Sequence, residues 1–222
     1  MKLVNKIKVF LYKCFNLKSP NYPYMIEPCH LALLINEIDK LQDKPSSIIE
    51  IGAFRGMTTR FLCEHITSQE LNNIHYWVID TFNSFVKKDI DFEVTHRGKN
   101  RSSISSGFLV NDFITFKNNF KQYSFLNVIK GNCSEINYEV MKPIRLVVLD
   151  VDLYLPTKKA LNEVFALMED DGVIIVDDVM NNNRWDGAYQ AYFEFCNEQN
   201  IIPEITGKKT GIIRKSNINK QN

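Results

Sequence analysis

Apolar positions along the chain follow two patterns, short continuous runs and spacings of three to four residues. The runs predict buried strands, and the spacings predict amphipathic helices. Strands are predicted at SSIIEIG, IHYWVID, FLNVIKG, PIRLVVLDV and GVIIVDD, and helices at Glu27 to Gln42, GMTTRFLCEHI, NDFITFKNNFKQY, TKKALNEVFALMEDDG and DGAYQAYFEFCNEQN. Strands that alternate with helices are typical of an α/β fold, with a parallel sheet and helices on both faces.

The end of the chain breaks this alternation. Two short strands, IIPEI and TGIIRK, are joined by a turn of glycine and lysine residues. A turn this short cannot make the crossover that parallel strands need, so we expect the last strand to be antiparallel. The sequence therefore predicts a mostly parallel, seven-stranded sheet with an antiparallel last strand and helices on both faces.

Composition divides the chain into an expected main domain and two flanking segments. Residues 1–26 are predicted to be a basic helical extension with a loop, residues 27–216 the main domain, and residues 217–222 a polar tail. Within the main domain, residues 84–108 are polar and weakly periodic. A long insert of this kind in a compact domain is often a lid over a binding site, and we expect a lid here.

The N-terminal segment MKLVNKIKVFLYKCFNLKSP carries apolar residues near helical spacing, with lysines between them. Two interpretations stay open: a helix packed on the main domain, and a helix that makes a weak membrane-surface contact through residues 1–18. The lysines interrupt any signal-peptide core, and no stretch approaches the roughly 18 apolar residues of a membrane span.

The charge and cysteine counts narrow the function classes. Lys plus Arg is 27 and Asp plus Glu is 26, so the formal net charge of +1 gives no argument for a nucleic-acid partner. The five cysteines are widely spaced without a CxxC pair, which argues against a disulfide framework or a zinc site and favours a cytoplasmic location. The counts leave the oligomeric state open between a monomer and a homo-oligomer.

Acidic side chains follow two of the predicted strands at the point where each strand ends. The stretch LDVDLYLPT has Asp150 and Asp152 after one strand, and GVIIVDD has Asp177 and Asp178 after the next. Neighbouring parallel strands lie about 4.8 Å apart, so these carboxylates converge if the two strands are adjacent. Converging carboxylates repel each other unless they are protonated or share a cation. Because Mg²⁺ and Mn²⁺ prefer oxygen ligands, we expect a divalent-metal site at this position.

Other strand ends carry residues that suit a nucleotide-like ligand. Gly52 and Gly56 in EIGAFRGMTT allow a tight turn and the close approach of a ligand. Asp80 ends the next strand, where an acid can accept hydrogen bonds from both hydroxyls of a ribose. Asn132 and Ser134 in KGNCSE follow the third strand and can reach the edge of a base.

The stretches IEIGAFRG, WVIDTF, VIKGN, LDVDLYLPTKKAL and GVIIVDD, in this order, resemble class I S-adenosylmethionine-dependent methyltransferases. Within that group they are most similar to the macrocin O-methyltransferase family, which methylates sugar hydroxyls on antibiotics. The similarity covers roughly residues 45 to 215. It implies a Rossmann-like class I methyltransferase fold with S-adenosyl-L-methionine as cofactor. The matching positions imply cofactor contacts at Glu50, Gly52, Arg55, Gly56, Asp80, Thr81 and Phe82, and metal ligands at Asp150, Asp177 and Asp178.

The resemblance also implies a reaction. The expected function is a divalent-metal-dependent O-methyltransferase that acts on a hydroxyl of a sugar or glycosylated small molecule. Asp150 would be both a metal ligand and the general base that takes the hydroxyl proton. Thr81 stands where the family has Ser, and Val151 stands where the family has Gly. The substrate loops do not align, so the identity of the acceptor does not carry over.

Further residues near the predicted metal site are expected to face the acceptor, namely Asp152, Tyr154, Arg184 and Trp185. An aromatic ring with polar neighbours suits stacking against a sugar. Two other functions stay open at this point. One is a metal-independent methyltransferase that acts on an amine or a phenol, and the other is a non-catalytic Rossmann-like module that binds a nucleotide.

Overall fold

The computed structural model describes residues 2–14, 22–105 and 107–217. In these ranges the strands are β1 Ser46–Ile51, β2 Ile74–Asp80, β3 Leu126–Lys130, β4 Ile144–Leu149, β5 Met168–Val176, β6 Glu204–Thr206 and β7 Thr210–Arg214. These described strands form one seven-stranded sheet in the order β3-β2-β1-β4-β5-β7-β6. Strands β1 to β5 pair in parallel, and β7 is antiparallel to both β5 and β6. The predicted sheet is therefore confirmed, including its antiparallel last strand.

Helices precede the first strand and occupy the longer connections between later strands. They are α1 Lys2–Cys14, α2 Pro28–Asp39, α3 Met57–Ser68, α4 Lys87–Arg97, α5 Arg101–Ile104, α6 Phe113–Phe120, α7 Tyr154–Leu167 and α8 Gly187–Glu198. One core cluster packs α2, α3 and α6 on one face of the sheet, and a second packs α7 and α8 on the other face. Both faces of the sheet need a layer of helices, because successive apolar side chains of a strand point to opposite faces.

Strand β4 illustrates this alternation. Leu146 and Val148 belong to the core cluster on one face, whereas Val147 and Leu149 belong to the cluster on the other. All of these side chains are at most 1% exposed. A strand that is buried on both faces reads as a continuous apolar run, which is why it could be predicted from the sequence.

The strand order determines where a ligand can bind. Strand β1 lies between β2 and β4, and the chain order reverses at the boundary between β1 and β4. Open α/β sheets bind ligands outside the carboxyl ends of their strands at such a reversal. Leu149, the last residue of β4, pairs with Val176, the last residue of β5. The acids that follow these two strands are therefore neighbours.

The segment of residues 84–108, which we call the lid segment, differs from the expectation of irregular structure. Its described residues form α4 and the short α5. Ile90 packs in a small cluster separate from the main core. Ion pairs hold α4 instead, since Arg97 contacts Glu93 at 2.7 Å and Asp186 at 2.6 Å. Because ion pairs rather than an apolar face hold α4, its sequence has little apolar periodicity. The hydrophobic pattern therefore did not predict a helix here.

Helix α1 stands apart from the rest of the described fold. Residues 3–14 are all exposed, and none of them belongs to a described core cluster. The interpretation of this segment as a helix packed on the main domain is therefore wrong for the described residues. None of the helices that the structure describes is long and apolar enough to cross a membrane.

Candidate active site

A cavity of about 540 Å³ follows the carboxyl ends of the parallel strands. In the order of the sheet, its wall includes Asn132 after β3, Asp80 at the end of β2, Gly52 after β1, Asp150 after β4 and Asp177 after β5. The size falls in the range of cavities that hold small molecules and cofactors. The cavity thus joins the predicted cofactor residues to the predicted metal residues.

The turn after β1 begins with a glycine that no other residue can replace without strain. Gly52 has a φ of +88°, and a Cβ there would collide with the backbone carbonyl of Asp150. The chain leaving β1 is therefore pressed against the chain leaving β4. Gly56 has a φ of +80° and precedes α3, but a Cβ there would meet the rings of Phe116 and Phe120. Gly56 is thus a packing residue outside the cavity wall.

Asp80 fixes the same turn. Its Oδ2 accepts hydrogen bonds from the backbone N–H groups of Ala53 at 2.9 Å and Phe54 at 2.8 Å. Its Oδ1 accepts the N–H of Phe82 at 2.6 Å and a longer hydrogen bond, 3.4 Å, from Asn111. Asp80 borders the cavity, but most of its lone pairs are already used by the backbone.

Glu50 lies beneath this turn and is 1% exposed. One carboxylate oxygen accepts hydrogen bonds from Thr59 Oγ1 at 2.7 Å and from the hydroxyl of Tyr76 at 2.6 Å. Burial raises the pKa of Glu50 to about 7, although these two hydrogen bonds lower it. Glu50 also lines the cavity, beside Gly52 and Asp80, where we expect the cofactor.

Three acids converge at the other end of the cavity. Asp150, Asp177 and Asp178 each offer an oxygen, and these oxygens lie within 4.8 Å of one another. Lys209 Nζ lies 2.7 Å from Asp177 Oδ2 and 2.7 Å from Asp178 Oδ1. His30 is fully buried, and its Nδ1 lies 3.4 Å from Asp177 Oδ1. The convergence that the strand ends predict is therefore present, together with a lysine that the pattern did not indicate.

The pKa values of these acids differ because their neighbours differ. Burial raises the pKa of Asp150 well above its usual range, and Asp177 and Asp178 raise it further. Burial also raises the pKa of Asp177, but His30 and Lys209 outweigh burial and lower it overall. The cluster therefore favours at least one bound proton or one more positive charge.

Asp152 lies beside these acids in the same cavity wall. It is 5% exposed, and its side chain hydrogen-bonds to that of Asp178. Burial raises its pKa well above the usual range, followed by the charges of Asp150 and Asp178. Asp152 and Asp178 have φ values of +61° and +59°. Non-glycine residues rarely adopt this left-handed conformation, and such strain clusters at functional sites.

Aromatic rings form the wall of the cavity between its two ends. The ring of Phe108 lies 5.2 Å from that of Phe54, 5.5 Å from that of Phe85 and 5.8 Å from that of Trp185. All four side chains line the cavity. Phe85 and Phe108 belong to the lid segment, so this segment supplies part of the wall.

The structure brings most, but not all, of the sequence-predicted residues into the cavity. Its wall includes Glu50, Gly52, Arg55, Asp80, Thr81, Asn132, Asp150, Asp152, Asp177, Asp178 and Trp185. Gly56, Phe82 and Ser134 lie outside the wall. Phe82 is 5% exposed and packs against Phe113 and Phe116. Ser134 is in a short helical turn that Asn132 caps.

Two of the predicted acceptor residues point elsewhere. Tyr154 is the first residue of α7 and lines a separate cleft, where its hydroxyl donates to Glu194 at 2.7 Å. Arg184 is exposed, hydrogen-bonds to the backbone carbonyl of Ser103, and lies over the ring of Trp185 at 4.4 Å. Neither side chain is part of the cavity wall described above.

Several cavity residues could not be found from the sequence. Asn111, Lys209 and Asp89 come from the segment before α6, the β6–β7 turn and α4. They do not follow a parallel strand, so the argument from strand ends does not reach them. Lys209 is brought in because β7 returns antiparallel beside β5. Each is a common surface residue type that gives no signal by itself.

The model of the family Macrocin-O-methyltransferase (TylF) matches residues 26–209, which is more than half of the chain. The chain belongs to this family. It is therefore a methyltransferase, and the family together with the cavity geometry supports S-adenosylmethionine as its methyl donor. A search of curated proteins found no match.

Solved structures agree on the fold. The O-methyltransferase NovP has a TM-score of 0.68 at 18% identity, covering 88% of this chain and 83% of NovP. The calicheamicin methyltransferase CalS11 has a TM-score of 0.68 at 18% identity, covering 96% of this chain and 84% of CalS11. A Streptococcus mutans methyltransferase solved with S-adenosylhomocysteine has a TM-score of 0.53 at 15% identity, covering 85% and 97%. At these identities the likeness establishes the Rossmann-like methyltransferase fold.

Proposed function

We propose that this member of the macrocin-O-methyltransferase family is a divalent-metal-dependent O-methyltransferase that acts on a hydroxyl of a sugar or glycosylated small molecule. The observation that carries the proposal is one cavity that runs from Asn132 and Asp80, after β3 and β2, past the Gly52 turn to the converging acids after β4 and β5. Among proteins of similar fold, CalS11 is described as a TDP-rhamnose 3'-O-methyltransferase. The acceptor of CalS11 supports a sugar as the substrate, and the converging acids suit a hydroxyl group that a metal ion activates.

Asp150, Asp177 and Asp178 would hold the metal ion. Carboxylate oxygens are the ligands that Mg²⁺ and Mn²⁺ take in proteins. Asp177 Oδ1 is buried and makes no closer contact among the described residues than the 3.4 Å one to His30 Nδ1, which leaves it able to bind a cation. When bound, the metal supplies a Lewis acid that lowers the pKa of the acceptor hydroxyl.

Asp152 is a better candidate for the general base than Asp150, the residue that the family resemblance implied for this role. A carboxylate that binds a metal has little basicity left, and Asp152 is outside the group of converging oxygens. It borders the same cavity and is already hydrogen-bonded to Asp178. The proton that Asp152 and Asp178 share would be lost when Asp178 binds a metal ion. The ionised Asp152 carboxylate would then take the hydroxyl proton as the oxygen attacks the methyl carbon and S-adenosylhomocysteine leaves.

The remaining wall would orient the acceptor. Methyl transfer needs the attacking oxygen, the methyl carbon and the sulfur of the cofactor in line, so positioning supplies much of the acceleration. Trp185 and Phe108 line the same cavity as the acids. The apolar face of a sugar ring can pack on such rings while its hydroxyls face the acids. The aromatic wall would also exclude water from the methyl group.

Lys209 favours a second candidate function. It already supplies a positive charge to Asp177 and Asp178. A site that is partly neutralised by a lysine can in principle work without a metal, as a methyltransferase that acts on an amine or a phenol. Activity that is insensitive to EDTA would favour this second function over the first.

Transfer of a radiolabelled methyl group from S-adenosylmethionine to a panel of nucleotide-linked sugars and glycosides tests the proposal. We expect EDTA to abolish transfer, and Mg²⁺ or Mn²⁺ to restore it. Asp150→Asn should raise the metal concentration needed for half-maximal rate. Asp152→Asn should lower kcat by about 10²–10⁴-fold at an unchanged metal requirement. Asp170→Asn, an exposed acid near the other end of β5, is the control. Full activity in EDTA would contradict the proposal.

The N-terminal helix gives the chain a further proposed contact. Leu3, Ile7, Phe10 and Leu11 fall on one side of α1 and are 43–71% exposed. The lysines of α1 lie outside this side, and α1 contains no acid. A second copy of the same helix would bring like charges together, whereas an anionic membrane surface complements them. We infer a weak membrane-surface contact through α1.

A further inference from the structure

Asp89 is a buried acid to which no described residue donates a hydrogen bond. It lies in the first turn of α4 and is 3% exposed. Its Oδ1 is buried without a hydrogen-bond partner, and no described residue donates a hydrogen bond to its other oxygen. Burial raises the pKa of Asp89 to about 6. An acid can favour the first turn of a helix from an exposed position, so the helix does not explain its burial. A buried and unpartnered carboxylate indicates an absent hydrogen-bond donor.

The position of Asp89 tells which part of a ligand would meet it. It lines the main cavity together with Gly131, Asn132 and Cys133, which follow β3. In the sheet order, β3 is separated from β4 by two strands. The methyl group of the cofactor must lie near the acids after β4, because the acceptor is activated there. The nucleoside end of the cofactor must then extend across Asp80 toward β3 and Asp89.

Adenine presents an amino group, a hydrogen-bond donor, on the edge opposite its sugar. The side chain predicted to read this edge, Asn132, is already used: its Oδ1 accepts the N–H of Ser134 at 3.0 Å and its Nδ2 donates to Glu135 at 3.1 Å. Asp89 is a free acceptor at the same end of the cavity. We propose that the Asp89 carboxylate accepts a hydrogen bond from the exocyclic amino group of the cofactor's adenine.

This inference rests on the cofactor half of the proposed function and is independent of the metal. It makes Asp89 a residue that determines specificity for adenine over other purines. It also gives the lid segment a direct contact with the cofactor, because α4 carries Asp89. Cofactor binding would then fix the start of α4 over the cavity.

The test compares the affinities of S-adenosylhomocysteine and its 6-deamino analogue, in which a hydrogen atom replaces the exocyclic amino group and no new donor is added. Calorimetry at pH 8, above the pKa of about 6, keeps Asp89 ionised. We expect the wild-type protein to prefer the adenine ligand by about 10- to 100-fold, as for a hydrogen bond to a charged group. Asp89→Ala should bring the two affinities within about threefold, since the preference arises from that one bond.

Asp91→Ala is the matched control, because Asp91 lies on the same helix but is exposed and paired with Arg101 at 2.6 Å. It should keep the wild-type preference. Asp89→Asn preserves the shape if Asp89→Ala does not fold, and its neutral amide oxygen accepts a weaker hydrogen bond than a carboxylate, so the preference should fall below about tenfold. A wild-type preference in both Asp89 variants would overturn the role of Asp89. Failure of the wild-type protein to bind S-adenosylhomocysteine would overturn the cofactor site itself.

Discussion

Lys209 Nζ lies 2.7 Å from Asp177 Oδ2, at the end of the cavity where the acids converge. The same ammonium group is 2.7 Å from Asp178 Oδ1. The β6–β7 turn that carries Lys209 is held in place by Glu27, which accepts the backbone N–H groups of Lys208 and Lys209. Lys209 is thus a built-in positive charge between two buried acids, and it lowers the pKa of Asp177. A bound divalent cation would share these acids with the lysine.

The first prediction follows from this sharing. Lys209→Met should lower the free energy of unfolding by about 3–5 kcal/mol in the absence of divalent cations, because it leaves buried carboxylates uncompensated. Adding MgCl₂ should restore much more stability to this variant than to the wild-type protein. Chemical denaturation with and without MgCl₂ measures both effects. Lys208→Met, on the exposed neighbour, is the control. Equal stability of the two variants without metal would contradict the role of Lys209.

The second prediction concerns Asp80 and the glycine turn. Asp80→Ala should weaken the binding of S-adenosylhomocysteine by about 1.5–3 kcal/mol, the range of hydrogen bonds to a charged group. The variant would lose the acceptor that we expect for the ribose hydroxyls, and it releases the N–H groups of Ala53 and Phe54 that shape the glycine turn. Calorimetry measures the affinity, and Asp170→Ala, an exposed acid, is the control. Unchanged affinity in Asp80→Ala would remove Asp80 from the cofactor site.

The fold and the acid cluster could be predicted because both follow from local pattern. Leu149 and Val176 end continuous apolar runs, and Asp150 and Asp177 come next in the chain. Parallel pairing then brings the acids together without further information. Lys209 could not be predicted, because the pattern indicated an antiparallel last strand but not that β7 pairs with β5 and so brings the β6–β7 turn to the acids.

The direction of a side chain was the second property that the sequence pattern did not predict. Tyr154 follows Asp152 by two residues, yet it begins α7 and faces a different cleft. The change from extended to helical backbone rotates the side chain away, so proximity in the sequence does not mean a shared cavity. The aromatic wall was missed for a related reason, since Phe54 and Phe108 meet only through tertiary packing.

The third prediction concerns the lid segment. Arg97 and Lys99 both contact Asp186 at 2.6 Å and hold the end of α4 near the cavity. We expect amide hydrogen exchange in α4 to slow about tenfold when S-adenosylhomocysteine binds, because the ligand stabilises the closed segment. Asp186→Asn should speed exchange in the free protein, whereas Asp91→Asn, which breaks an exposed pair, should not. Strong and equal protection with and without ligand would make the segment a fixed element.

The fourth prediction concerns α1 and membranes. The protein should cosediment with vesicles that contain anionic phospholipid and bind weakly to purely zwitterionic vesicles. Phe10→Gln should reduce binding at least about tenfold, since burial of its ring in the interface is lost. Tyr12→Gln is the control: Tyr12 is 57% exposed against 64% for Phe10, but it points to the other side of the helix. Equal losses in both variants, or no binding to anionic vesicles, would contradict the contact.

The central claim is that the cavity holds a cofactor and a divalent cation side by side. A crystal structure with S-adenosylhomocysteine and Mn²⁺, recorded for anomalous scattering of manganese, tests it most directly. We predict one anomalous peak at about 2.0–2.2 Å from a carboxylate oxygen of each of Asp150, Asp177 and Asp178. The cofactor sulfur should face this peak across the space for the acceptor. No peak among these acids, with S-adenosylhomocysteine bound and Lys209 still bridging Asp177 and Asp178, would contradict the claim.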